Sequence, residues 1–111
     1  MALEDERIYD MQAGLCKALS NPARLMVIDV LKMGEVSVGD LAEKLGRPQS
    51  NLSQHLSVLR SHGIVTSRRE GSNVLYSLTS PKIVKACSLV RQILRDQTEE
   101  LEKLTRSGLT A

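Results

Sequence analysis

All three prolines of this 111-residue chain stand where a helical apolar pattern begins. Proline lacks an N–H and holds φ near about −65°, so it suits the first turn of a helix and disrupts any later turn. Pro22 follows Ser20-Asn21, either of which can cap a helix, and Pro81 follows Thr79-Ser80. Pro48 follows the turn Gly46-Arg47. Behind Pro22, Leu25, Met26, Ile28, Val30, Leu31 and Met33 predict a helix stopping at Gly34. Behind Pro48, Leu52, His55, Leu56, Leu59 and His62 keep three- and four-residue spacing until Gly63. A first helix is expected from Ile8 to Leu19, and a short one from Asp40 to Leu45 ended by Gly46. Val36-Ser37-Val38 reads as extended, and Ile64 to Glu70 with Asn73 to Leu78 form a two-stranded hairpin around Gly71-Ser72. The expectation is one mainly α domain over residues 1–111, with a small β-hairpin.

Tyr9 and Tyr76 are the only aromatic residues, with no Phe and no Trp. The core must therefore be aliphatic. The lack of ring platforms also argues against single-stranded nucleic acid as the main target. With 41% hydrophobic and 25% charged residues, the chain has the composition of a folded globular protein. Its net charge of +2 says little, but the distribution is uneven. Residues 1–10 carry Glu4, Asp5, Glu6 and Asp10 against Arg7, whereas residues 44–79 carry Lys44, Arg47, Arg60, Arg68 and Arg69 against Glu70 alone. A polyanion would dock on that central stretch. The start MALEDERIYD lacks the basic and apolar segments of a signal peptide, and no apolar run reaches membrane-spanning length. We expect a cytoplasmic protein without membrane contact, its thiols reduced by default. Cys16 and Cys87 are too few for a four-thiolate zinc site or a disulfide framework, though they could form one pair.

The order helix, helix, short strand, helix, turn, helix, basic hairpin, helix is that of a winged helix-turn-helix, with residues 38–79 as the DNA-binding portion. In that arrangement the helix after Pro48 enters the major groove by its N-terminal residues. Gln49, Ser50, Asn51, Ser53 and Gln54 are uncharged hydrogen-bonding side chains beside the Leu52, Leu56 and Leu59 stripe. Gln and Asn can pair bidentately with adenine, and Ser can reach base or phosphate. A merely solvated helix face more often carries Lys and Glu. Arg68, Arg69 and Ser72 would approach phosphate or the minor groove as the wing, while Arg47, His55 and Arg60 complete the expected DNA-contacting set. No hydrolytic triad, paired acid and base carboxylates or phosphate-binding glycine loop can be assembled, so no enzymatic activity is expected. In the last helix Ile83, Cys87, Val90, Leu94, Gln97, Leu101 and Leu104 form a heptad seam that asks for a partner helix. Thr105 to Ala111 reads as a frayed tail.

Several segments together carry a family resemblance: ALSNPARLMVIDVL, then SVGDLAEKLGRPQSNLSQHLSVLRSHGIVTSRREGSNVLYSLT. The N-P-x-R-L helix start, S-x-L-S-Q-H-L-x-x-L-R, the H-G-I-V step and R-R-E-G-x-x-x-x-Y-x-L occur in that order. Over Leu19 to Thr79 the chain resembles the ArsR/SmtB family of winged-helix repressors. The resemblance implies a homodimer joined through its first and last helices, here 1–19 and 81–106. It also implies occlusion of a palindromic operator in double-stranded DNA, and release of that DNA by an inducer.

Two metal sites of that family are missing. Ser37 and Gly39 stand where many metal-sensing relatives carry Cys-x-Cys, and residues 81–111 contain no His for a site on the last helix. No metal site or cofactor is assigned. Cys16 on the first helix and Cys87 on the seam of the last then become candidates for a redox-sensing thiol switch. The bridge would be a disulfide, a persulfide or polysulfide, or a thiophilic inducer such as trivalent arsenic or a reactive sulfur species. A disulfide requires Cα atoms within about 7 Å, and buried cysteine is more often an inert core residue. Lys17 and Lys85 are close enough in sequence to lower a thiol pKa. The alternatives are a winged-helix regulator without an inducer or with a metal site not recognised in the sequence, and a winged-helix protein-interaction module.

Overall fold

The computed structural model describes residues 5–107 and divides into two compact units, Met1–Pro81 and Lys82–Ala111. The first unit contains α1 (Arg7–Ala18), α2 (Pro22–Leu31), β1 (Val36–Ser37), α3 (Val38–Leu45), α4 (Gln49–Ser61), β2 (Val65–Glu70) and β3 (Asn73–Leu78). The second is the single helix α5 (Lys82–Ser107).

Local chemistry explains most of the element ends. Asn21, not Ser20, caps α2: its Oδ1 accepts the Arg24 N–H at 3.1 Å, with Pro22 in the first turn. Ser37 does the same for α3, its Oγ accepting the Asp40 N–H at 3.1 Å, so that helix starts at Val38, two residues earlier than expected. α2 stops at Leu31 rather than running to Gly34, leaving Met33 exposed in the turn. α4 ends at Gly63, which takes a left-handed φ of 71°. Ile64 N–H reaches Leu59 C=O at 2.9 Å and Gly63 N–H reaches Arg60 C=O at 3.0 Å, closing the last turn in a Schellman motif.

The short strand expected at Val36-Ser37-Val38 is present as β1 (Val36–Ser37), and it joins the hairpin as a third strand, a pairing not foreseen from the sequence. β1 pairs antiparallel with β3 through Val36 opposite Tyr76, giving the order β1-β3-β2. At the hairpin base the Thr79 N–H donates to the Ile64 carbonyl at 3.1 Å, and Thr79 Oγ1 donates to the Gly63 carbonyl at 2.6 Å. At the other end Glu70 pairs with Asn73 across Gly71-Ser72, where Gly71 supplies the left-handed φ of 62°.

The core is aliphatic as expected: Val27, Ile28 and Leu31 of α2, Leu41 of α3, Leu52, Leu56 and Leu59 of α4, with Ile64 and Val65 leading into the sheet. α4 packs on α2, α3 and β2, so its position is set from three sides. Gly14 lets α1 approach the end of α4, since a Cβ there would lie 3.2 Å from the His62 ring. By itself, α5 is a 26-residue helix, about 39 Å long at the usual rise. It continues helical through Thr105–Ser107, where a frayed tail was expected; residues 108–111 of that tail lie outside the described residues.

Candidate nucleic-acid interface

α4 presents two contrasting faces. Leu52, Leu56 and Leu59 are fully buried, while Gln49, Ser50, Ser53, Gln54, Ser57 and Arg60 are exposed. The row Ser50, Ser53, Gln54, Ser57 follows the three- and four-residue steps that align side chains on one helix face. The exposed surface is therefore uncharged and free of acids up to Arg60. Pro48 at the N-cap provides no side-chain acceptor, so the first-turn N–H groups of α4 face outward without a side-chain cap. Such groups favour phosphate. Gly39 on α3 makes room for the start of this surface, because a Cβ there would meet Gln49 Nε2 at 3.3 Å.

Asn51 does not share the exposed row. It is half-buried, and its Oδ1 is fully enclosed without a hydrogen-bond partner. An enclosed oxygen without a partner costs stability, and this one is turned away from solvent. His55, one turn on, is also half-buried; burial, then the charges of Arg24 and Arg47, hold its pKa below the ordinary 6.5. The shift favours the neutral imidazole. Ser57, by contrast, is exposed on the same row as Ser50, Ser53 and Gln54. It was absent from the sequence-based set, although its spacing from Ser50, Ser53 and Gln54 was readable.

The two wing arginines have different surroundings. Adjacent residues on a strand point to opposite faces. Arg69 is exposed and makes no ion pair among the described residues. Arg68 is fully engaged. Its Nε–H and Nη2–H donate to Glu35 Oε2 and Oε1, each at 2.8 Å, and its Nη1 lies 2.9 Å from Glu70 Oε2. The bidentate hydrogen bond from Arg68 holds Glu35 below the ordinary glutamate value, and the two carboxylates hold Arg68 above the ordinary arginine value. Of the two arginines expected to approach DNA as the wing, Arg68 is thus paired within the chain, whereas Arg69 makes no ion pair among the described residues. Ser72 is exposed at the tip and Arg47 is half-buried beside the start of α4.

Cys16 is an exposed thiol on α1, and Cys87 is half-buried on α5. Both are reduced. Among the described residues, no three His, Cys, Asp or Glu side chains come together as a metal-binding group. Ile8, Met11 and Leu15 on α1 are exposed, as are Leu89, Val90, Ile93, Leu94, Leu101 and Leu104 on α5. No helix among the described residues is long and apolar enough to cross a membrane.

A three-stranded wing beside a braced helix with an uncharged polar face defines a winged helix-turn-helix protein. Residues 19–68 match the family model of a helix-turn-helix domain. The nodulation protein NolR of Rhizobium meliloti is 39% identical over 94 residues, covering 85% of this chain and 77% of NolR. The biofilm growth-associated repressor of Xylella fastidiosa is 40% identical over 101 residues, covering 90% and 89%. A solved homodimeric winged helix-turn-helix DNA-binding domain from Mycobacterium bovis, from a possible ArsR-family transcriptional regulator, superposes with a TM-score of 0.77. It is 31% identical, with 90% of this chain and 95% of that one covered. The chain belongs to the ArsR/SmtB family of winged-helix transcriptional regulators, a family of DNA-binding proteins and not of enzymes.

Proposed function

We propose that the protein is a cytoplasmic, homodimeric repressor that occupies a palindromic operator in double-stranded DNA. The observation that carries this reading is the exposed face Gln49, Ser50, Ser53, Gln54 and Ser57, acid-free and uncharged, on a helix whose opposite face is locked in the core. Amides and hydroxyls read base edges, while Arg69, Arg60 and Lys44 supply the charge that holds phosphate. The exposed apolar stripes of α1 and α5 support self-association, because a second copy would present the same surfaces and a two-fold dimer would match a palindrome.

The test begins with selection of sheared genomic DNA by the wild-type protein, followed by affinity measurements on the retained duplex and a scrambled one. Gln54→Ala should weaken the retained duplex by roughly 1–3 kcal/mol while leaving the scrambled one nearly unchanged. Equal losses on both duplexes would exclude α4 as the reading element.

Release of DNA is assigned to the thiols of Cys16 and Cys87. The exposure of Cys16 and the place of Cys87 on the α5 seam support this assignment. Joining two thiols as a disulfide transfers two electrons and two protons to an oxidant such as a polysulfide, whereas arsenite, As(OH)3, forms As–S bonds without a change of oxidation state, each thiol proton leaving with a displaced hydroxide as water. Operator affinity should fall on adding polysulfide or arsenite, should not respond to zinc, and should lose its response in Cys16→Ser and Cys87→Ser. A response that survives both substitutions would remove the cysteines from the mechanism.

A further inference from the structure

The guanidinium of Arg68 is committed on all three nitrogens to carboxylates of its own chain. Glu35 takes the Nε and Nη2 donors, and Glu70 lies against Nη1. The geometry follows from the sheet. Arg68 sits opposite Leu75 of β3, Leu75 sits opposite Ser37 of β1, and Glu35 lies two residues before Ser37 and so on the same face. The bidentate bond therefore spans the whole width of the sheet, tying the outer strand β2 to the loop that enters β1. It joins residues 33 apart in sequence. Arg68 and Glu35 are surface residues, with 54% and 32% of their side-chain areas exposed, so the pair acts through its geometry and not through burial. A planar fork held at two 2.8 Å bonds fixes direction as well as distance.

We infer that Arg68 is a positioning residue, whose bond to Glu35 sets the angle at which the wing presents Arg69 and the Gly71-Ser72 tip to DNA. The inference rests on the DNA-binding reading above, and it assigns the two arginines different roles. Arg69 supplies charge. Arg68 supplies orientation. Charge counting alone gives the opposite expectation for Glu35: removing a carboxylate near a polyanion and releasing Arg68 should tighten binding.

The test uses Glu35→Gln, which keeps the shape and removes the charge, and Arg68→Lys, which keeps the charge and removes the fork. Each is measured by 15N relaxation of the wing amides without DNA, and by anisotropy on the duplex retained by the wild-type protein. Both variants should show lower order at residues 69–73 and bind roughly three- to tenfold more weakly, and the double variant should be no worse than the weaker single. Tighter binding by Glu35→Gln, or penalties that multiply in the double variant, would overturn the assignment. If the wild-type protein retains no duplex, the DNA-binding reading fails separately. The relaxation data then decide the latch alone, and unaltered tip order in Glu35→Gln overturns it.

Discussion

α4 and α5 carry the same arithmetic and meet different fates. In α4, Leu52, Leu56 and Leu59 step by four and three and are 0% exposed. In α5, Val90 and Leu94 continue the same steps and are 58% and 56% exposed, with Leu101 at 61%. A heptad pattern states that a helix has an apolar stripe, and it does not state which chain supplies the covering surface. The core of the first unit answers that question for α4, whereas α5 leaves its stripe open. On this account, the α4 stripe maintains the fold and the α5 stripe maintains the dimer.

Substitutions on the two stripes can break that contrast. Leu56→Ala should cost about 2–5 kcal/mol of folding stability, because it opens a cavity in a fully buried layer. Chemical unfolding followed by circular dichroism measures the loss, and a cost below about 1 kcal/mol would refute the tight core. Leu94→Glu should leave the unfolding midpoint of the first unit unaltered at high dilution, yet weaken self-association at least roughly tenfold, as a buried charge costs far more than an exposed one. If both substitutions unfold the chain alike, the two stripes have the same role.

Smaller effects separate the reading face from its supports. Arg69→Ala should weaken binding to retained and scrambled duplexes alike and reduce the salt slope by about one. His55 yields a pH signature. Its folded pKa lies below 6.5, so the unfolded chain binds more protons, and its contribution to stability is complete above pH 6.5 and is lost as pH falls toward the folded value. His55→Gln should flatten that acid-side decline, read as unfolding midpoints across the window. A decline that is steeper in the variant would reverse the sign assigned to His55.

Much of the fold was legible because its punctuation is local. Asn21-Pro22 and Gly63 cap or close helices through neighbours within a few residues, and such signals placed most ends within two positions, whereas the Ser37 cap was missed and α3 was expected two residues late. The exposed positions Gln49, Ser50, Ser53 and Gln54 were legible from periodicity, and Ser57 should have been. Asn51 and Arg68 were not. Whether Asn51 turns inward depends on what packs against the flank of α4, and Arg68 is claimed by Glu35, 33 residues away. Residue type alone marks both as candidate DNA contacts; burial of Asn51 and the pairing of Arg68 depend on residues distant in sequence. The short strand at Val36–Ser37 was legible, but its pairing was not, since two residues carry no signal for the strand that lies beside them.

The central claim is that α4 reads duplex DNA from a dimer built on the open apolar stripes. Sedimentation velocity of the protein with a labelled copy of the retained duplex tests it most directly. The account predicts two chains per duplex for the wild-type protein, and a folded monomer with no specific complex for Leu94→Glu. One wild-type chain per duplex, or a Leu94→Glu monomer that binds the same duplex with undiminished affinity, would contradict it.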